Sequence, residues 1–512
     1  MNYDLHVDVQ STLHFTGSVL RYISVPLAVP VVVALRYGES PLPFLVGIAV
    51  TLGLGTVLEF VTDEDELGHR EGFLLVALTW LLVPVVGTVP YLVAGQGTLA
   101  EPANALFESM SGFTTTGATI MGQIDVEVHG HAMMLWRQLT QWLGGMGIVV
   151  LMVAILPELS VGGAQLVREE APGIDIDKLT PRIRGTAAAL WKIYAVFTLL
   201  AAAVFYALNL LGFAPEMTLY QAVAHALTTM PTGGFSPMAR SAEAFSPAIQ
   251  WAMMAFMLVA GTNFALFWYA VTGEPERLVG NVEFRWYLLA TLLVGGFLAA
   301  LLFVGTGLAR VPTEVLTIPG SLERSLRQGL FQSIAIVTTT GYASMDFNTW
   351  SDLAKITLLF AMFLGGSAGS AAGGIKIIRW YVVSKSVGRE LFTTIHPEAV
   401  RPIRIGKRAA DEETIRGIFV FVLAFLVIFV VSTVLLYLDA VRVGVEMNAL
   451  EAASMTIATL GNVGPGFGQV GPMNSYEPFS VFSKLYMVFL MWIGRLEILS
   501  VLVILTPSYW RH

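Results

Sequence analysis

Apolar runs of about 20 residues, the length that crosses a hydrocarbon core, recur along the whole chain. They lie near 14–36, 41–61, 72–95, 131–156, 187–212, 247–272, 285–307, 353–383, 414–438 and 479–506. The first two follow one another directly. The other eight form four pairs, and each pair encloses a shorter apolar stretch that runs into a glycine: Phe107–Gly117, Leu227–Gly233, Phe331–Gly341 and Met455–Gly464. This pattern predicts an all-α polytopic membrane protein. Two leading helices precede four units of helix, short pore helix, filter loop and helix, arranged with pseudo-fourfold symmetry around one pore. The expected divisions are 1–65 for the leading pair, then 66–158, 159–272, 273–410 and 411–512 for the four pore repeats.

Internal similarity supports a repeat. Phe107 and Phe331 each stand ten residues before their glycine, and Ser109 and Ser333 each stand eight before. Thr-Gly recurs at Thr116-Gly117, Thr232-Gly233 and Thr340-Gly341, while the fourth copy has Val463-Gly464. Each following helix carries a further glycine 25 to 30 residues on, at Gly144, Gly261, Gly366 and Gly494.

Composition changes this picture only by exclusion. With 55% apolar and 13% charged residues in 512 positions, the chain hides many helices from water. It has no cysteine, so neither disulfides nor a thiolate metal site are available. A net charge of -8, with seven lysines beside 22 arginines, argues against nucleic-acid binding. The basic residues set an orientation. Lys376, Arg379, Lys385, Arg389, Arg401, Arg404, Lys407, Arg408 and Arg416 follow the eighth span, which the positive-inside rule places in the cytoplasm. Counting outward puts the N-terminus inside and all four glycine turns outside, at the cell membrane. The acidic loop Asp63–Glu66 does not overturn this, because carboxylates weigh little in the rule. Outer segments offer Glu101, Asp125, Glu127, Glu216, Glu243, Asp346, Asp352 and Glu477. Together these would concentrate cations at the mouth, or serve singly as solvated loop charges.

The candidate chemistry is that of a cation filter. A Thr-Thr-Gly strand aimed at an axis offers successive carbonyls and hydroxyls, hard oxygen donors without a carboxylate to hold the ion too tightly. The residues so placed are Thr115, Thr116 and Gly117; Thr232 and Gly233; Thr339, Thr340 and Gly341; and Asn462, Val463 and Gly464. Glu108 and Gln332, nine residues ahead of their glycines, either support the turns from behind or cap a helix.

In the third unit, Leu364–Lys376 strings Gly365, Gly366, Ser367, Ala368, Gly369, Ser370, Ala371, Ala372, Gly373 and Gly374 where a membrane helix should run. Such a stretch either packs as small-xxx-small or breaks the helix into a loop beneath the filter, where it would gate. Arg495 lies within the last apolar span and is a functional candidate by default. It either faces the pore and bonds carbonyls of the glycine-rich loop, or snorkels to an interface. Glu497, two positions on, points elsewhere on a helix.

Thr114–Gly117, Trp142–Gly147, Ala260–Phe264, Gly365–Lys376, Asn462–Gly466 and Gly494–Ile498 closely resemble the signatures of the TrkH subunits of the Trk/Ktr/HKT potassium transporter superfamily. The resemblance covers nearly the whole chain. It implies that the cargo is K+, with no organic cofactor, and that the four glycines form the selectivity filter. It further implies that 365–374 with Lys376 and Arg495 form the gate. The expected partners are a second copy of the chain in a homodimer, membrane lipid, and a cytosolic nucleotide-binding ring of the TrkA kind. Glycine at all four filter positions points to potassium over sodium. Pro231, ahead of Thr232, and Ala371, where relatives often have threonine, depart from the family pattern without removing a carbonyl.

Two other classes stand against a gated potassium pore. A Na+- or H+-coupled symporter would want a buried carboxylate relay or inverted repeats. A membrane enzyme would need a clustered catalytic set, whereas His129, His131 and His225 are scattered and read as structural.

Overall fold

The computed structural model describes residues 7–62, 68–150, 183–309, 317–406 and 408–511. The acidic loop at 63–66, Lys407, the end of the 131–156 span, and the expected divisions at 65/66 and 158/159 lie outside the described residues. The described residues are mostly helical. A small antiparallel pairing, Arg404–Ile405 with Arg408–Ala409, joins two helices on the basic side, and an isolated bridge links Leu308 to Trp350.

The leading helices Val9–Tyr37 and Leu42–Val61 cross at two glycines. A Cβ on Gly17 would come within 2.8 Å of the Gly55 carbonyl, and one on Gly55 within 2.7 Å of the Gly17 carbonyl. The close approach is what small residues permit in lipid, where no hydrophobic force draws helices together.

The order helix, short helix, turn, helix then occurs four times. The first unit has His69–Gly87, pore helix Pro102–Phe113 and inner helix His131–Val150. The second has Ile183–Leu210, pore helix Leu219–Thr229 and the inner pair Pro247–Ala260 and Phe264–Val271. Val282–Val304 and pore helix Leu322–Val337 open the third, which closes with Asp352–Met362 and Ile377–Ile395. The fourth comprises Glu412–Val443, pore helix Ala449–Leu460, and Val481–Arg495 with Leu499–Ile504.

Three of the four pore helices have a local reason to start where they do. Pro102 occupies the first turn of one, Thr218 accepts from the Gln221 amide in another, and Asn448 with Glu451 forms a capping box in the last.

Six described helices are long and apolar enough to cross a membrane, and a bent pair makes a seventh. The expectation of unbroken inner spans near 247–272 and 479–506 is corrected, and the choice left open at 353–383 is resolved in favour of a break. The second unit's inner helix turns by 97° between Ala260 and Phe264. The third stops at Met362 and resumes at Ile377, so the glycine-rich stretch breaks the helix. In the fourth, Glu497 and Ile498 take φ of 59° and 30°, conformations a helix cannot contain. Non-helical backbone at this depth must be buried in protein or line a water-filled path.

Pore and inner helices pack through backbone. A Cβ on Gly144 would lie 1.8 Å from the Phe113 carbonyl oxygen, and one on Gly494 would lie 1.9 Å from that of Leu460. Gly144→Ala and Gly494→Ala each force these elements apart, an overpacking cost of about 1–3 kcal/mol or more. Both should lower the thermal midpoint of the detergent-solubilised protein clearly, whereas Gly296→Ala, with nothing within 4 Å of its Cβ, should not.

Candidate functional site: a ring of four turns

Every pore helix ends in the same motif. The residue after its last turn is left-handed without being glycine: Thr115, Thr232, Thr339 and Asn462 have φ of 53°, 55°, 55° and 54°. The next residue's amide reaches back five positions: Thr116 to the Ser111 carbonyl at 2.9 Å, Gly233 to Thr228 at 2.9 Å, Thr340 to Ala335 at 2.8 Å, Val463 to Ala458 at 2.9 Å. The left-handed residue's own amide bonds three back, as Thr115 does to Gly112 at 2.9 Å. Together these are the two bonds of a Schellman cap, which ordinarily places glycine or asparagine at the left-handed position. Threonine there is strained by about 1–3 kcal/mol, a cost characteristic of functional sites.

The following residue is a second positive-φ position: Gly117, Gly234, Gly341 and Gly464, at 80°, 74°, 75° and 98°. This corrects the register of the second turn. Gly233 does not correspond to Gly117; it occupies the place of Thr116, Thr340 and Val463, and Gly234 is the counterpart of the other three glycines. Matching on the Thr-Gly pair chooses the wrong one of two adjacent glycines.

These four glycines close a ring. A Cβ on Gly117 would meet the Gly233 carbonyl oxygen at 2.2 Å, one on Gly234 the Thr340 oxygen at 1.9 Å, one on Gly341 the Val463 oxygen at 2.2 Å, and one on Gly464 the Thr116 oxygen at 2.6 Å. The contacts run from unit one to two, three, four and back to one. Because each pore helix runs into its turn, four helix C-termini, the negative ends of their dipoles, converge on the ring. A cation is the charge that such a centre favours.

Side chains hold the ring from behind. Glu108, fully buried, accepts from the Ile120 amide at 3.0 Å, from the Thr119 hydroxyl and from Arg137 Nε at 2.5 Å. Arg137, 2% exposed, also donates to the Ser236 carbonyl at 2.9 Å and stacks on the Phe235 ring. Gln332 donates to the Tyr342 carbonyl at 3.0 Å. Counted nine back from Gly234, the same station in unit two is His225, whose imidazole bonds Ser236 Oγ at 3.0 Å and the Gln221 carbonyl. Ser109 and Ser333 tie their pore helices to the preceding helix through the Pro84 and Thr291 carbonyls, at 2.6 and 2.7 Å.

A cavity opens where the chain leaves the turns, lined by the four ring glycines with Arg137, Ser236, Asn474 and Tyr476 among others. Among the described residues no carboxylate lines it, which at this point favours the loop-charge reading of the outer acidic residues over an acidic mouth. Three of those residues cap loops: Asp125 accepts from the Glu127 amide, Asp346 from that of Asn348, and Glu216 from that of Ser246.

Where the chain enters the turns, the ring meets the glycine-rich loop. The Gly373 amide donates to Thr339 Oγ1 at 2.7 Å, and Gly373 packs against Gly461 and Asn462. Other backbone groups of the loop are bonded from several units, as buried backbone requires. Ser367 N bonds the Gly261 carbonyl at 2.9 Å, Ala368 N the Glu283 carboxylate at 2.6 Å, and Gly365 N the Ile375 carbonyl at 2.8 Å. The Gly369 carbonyl accepts from Phe264 N, so the break in unit two's inner helix receives the loop of unit three. Arg495 Nη1 donates to the Ala371 carbonyl at 2.9 Å, and Lys376 Nζ donates to that of Ala372. Arg495 is 2% exposed, and its Nε and Nη2 have no partner among the described residues. Glu497 pairs with Arg379 on the helix that follows the loop. The structure thus brings together Gly365–Gly374, Lys376 and Arg495, directly below the four turns.

A ring of re-entrant turns closed by four helix-turn-helix units, with an arginine-pinned loop across it, defines a membrane cation-translocating protein. Residues 43–511 match the family model for TrkH, described as cation transport protein. The chain is 36% identical to the Trk system potassium uptake protein TrkH of Vibrio parahaemolyticus, over 98% of this chain and 99% of that one. It is 35% identical to the TrkH of Halomonas elongata, over 99% and 100%. The crystal structure of the potassium transporter TrkH from Vibrio parahaemolyticus superposes with a TM-score of 0.85 at 33% identity, covering 99% of this chain and 100% of that one. The chain belongs to the TrkH family of cation transport proteins and is a multi-pass membrane protein.

Removing one partner of a buried ion pair strands the other charge, at about 3–5 kcal/mol. Glu108→Ala should therefore lower the thermal midpoint markedly, and Arg137→Ala to a similar degree; a double Glu108→Ala/Arg137→Ala variant should lose less than the sum of the two.

Proposed function

We propose that the chain takes up potassium ions through a gated, K+-selective, channel-like pore, with the cavity outside and the basic helices in the cytoplasm. The observation that carries this reading is the closed ring, in which four turns, three of them strained at threonine, bring backbone carbonyls from four units together at the converging C-termini of the pore helices. Such a site replaces an ion's water shell with neutral oxygens and lets it leave again. In this reading Thr115–Gly117, Thr232–Gly234, Thr339–Gly341 and Asn462–Gly464 form the filter. Inward movement of each cation down the membrane potential releases about 2.3 kcal/mol per 100 mV.

The loop 365–374, held by Lys376 and Arg495, is the gate. It lies in the path below the ring, and Arg495 places a positive charge there while bonding the Ala371 carbonyl. Opening it means exchanging the hydrogen bonds that tie it to Gly261, Phe264, Glu283, Thr339 and Arg495, work that a cytosolic partner would supply. Relatives that belong to the Trk potassium uptake system support potassium as the ion and a regulatory partner on the cytoplasmic side. A homodimer with one pore per chain, and the nucleotide-binding ring as that partner, rest on the family resemblance alone.

Purified protein in liposomes should take up rubidium when an inward-negative potential is imposed; no uptake, with or without the cytosolic partner, would count against the pore. Gly341→Ser puts a side chain where an added Cβ would lie 2.2 Å from the Val463 oxygen. It should cut potassium-over-sodium discrimination by roughly tenfold, equivalent to about 1.4 kcal/mol. Deleting 366–372 should raise rubidium uptake; unchanged uptake by folded protein would remove the loop from the gate.

A further inference from the structure

The four turns are not braced alike. In units one and three the hydroxyls flanking the left-handed residue bond each other, Thr114 to Thr116 and Thr338 to Thr340, both at 2.7 Å. Thr114 and Thr338 also bond back to the Met110 and Ile334 carbonyls, so each turn is stiffened by its own side chains. In unit two the corresponding residues are Pro231 and Gly233, which carry no hydroxyl. In unit four they are Gly461 and Val463; there Tyr476 donates to the Gly464 carbonyl at 2.7 Å, and Asn462 Nδ2 reaches Thr116 Oγ1 at 3.0 Å.

The unit-two turn is held from outside. Gln141, on the inner helix of unit one and fully buried, donates from Nε2 to the Gly233 carbonyl at 2.7 Å. Its Oε1 accepts from the Phe235 amide at 3.0 Å. The amide therefore straddles Gly234, the ring glycine. It also fills the space of the missing side chain: a Cβ on Gly233 would lie 2.4 Å from Gln141 Cδ. The carbonyl it grips is the one that packs against Gly117, at the contact between units one and two. Arg137, one turn earlier on the same helix, extends this hold to the Ser236 carbonyl.

We propose that Gln141 is a positioning residue of the ion filter, its side-chain amide bracketing Gly233 and Phe235 in place of the threonine pair that braces the first and third turns. This rests on the reading of the four turns as the filter. A side-chain amide suits the task because it supplies one donor and one acceptor at fixed spacing, matching one carbonyl and one N–H two residues apart. Glycine at 233 is then required by the neighbouring unit's side chain and not by its own backbone, since its φ is not among the positive ones.

The test is potassium-over-sodium discrimination in rubidium uptake by the full-length protein in liposomes, with sodium as competitor. Gln141→Leu keeps the bulk and removes both hydrogen bonds. It should cut discrimination by roughly five- to tenfold, the order of one net hydrogen bond, while rubidium uptake persists. Gln141→Glu, nearly isosteric, sets a second acceptor against the Gly233 carbonyl and should cut it at least as far; it carries the test if the leucine variant is not monodisperse. Transplanting the threonine pair, in the triple variant Pro231→Thr/Gly233→Thr/Gln141→Ala, should restore discrimination relative to Gln141→Ala alone. Undiminished discrimination in Gln141→Leu or Gln141→Glu overturns the proposal, as does a triple variant that stays as unselective as Gln141→Ala. Gly341→Ala separates the two levels. If it too leaves discrimination intact, the filter reading itself fails; if it abolishes discrimination while the Gln141 variants keep it, only the bracket fails.

Discussion

Four glycines that admit no Cβ govern the architecture. At Gly117, Gly234, Gly341 and Gly464 the backbone of one unit touches a carbonyl of the next, and a single added carbon would sit 1.9–2.6 Å from that oxygen. Such contact is possible only if all four pore helices stop at the same depth. The Schellman caps achieve this at the expense of holding three threonines in the left-handed region. The helices around the ring are placed to keep it closed: Gly144 and Gly494 let two inner helices press onto pore-helix carbonyls, and Glu108, His225 and Gln332 grip the chain as it leaves the turns.

The same ring explains why the inner helices break. A continuous inner helix in unit three would run past the ring and leave the space beneath it to lipid or water. The glycine-rich segment instead crosses that space, with donors and acceptors met by Gly261, Glu283, Thr339, Lys376 and Arg495. Three units contribute to holding a segment of the third, so the loop reports on the relative positions of the inner helices. Its bond to Thr339 joins it directly to a turn of the ring.

Much of this could be read from the chain. Apolar runs gave the leading pair and the four paired spans, because a bilayer demands length and hydrophobicity that few other contexts demand. The glycine-rich stretch and Arg495 stood out because small and charged residues are conspicuous inside apolar spans. What could not be read follows from geometry. Thr232-Gly233-Gly234 offers two glycines, and only the backbone torsions show that the second closes the ring; with that register, counting nine back finds His225 at the station of Glu108 and Gln332. Gln141 and Arg137 gave no signal, since a polar residue on an inner helix has no periodicity to betray which neighbouring unit it bonds. The choice between the two readings of the outer carboxylates was out of reach for a related reason, since loop amides that need acceptors recruit Asp125, Glu216 and Asp346 as caps.

In the proposed function, the transported cation sits at the ring of Gly117, Gly234, Gly341 and Gly464. A crystal structure with rubidium in place of potassium, using the anomalous scattering of the ion to locate it, tests this directly. A peak is expected on the axis of the ring, coordinated by backbone oxygens from all four turns. Rubidium bound elsewhere in the molecule, with no density at the ring, would contradict it.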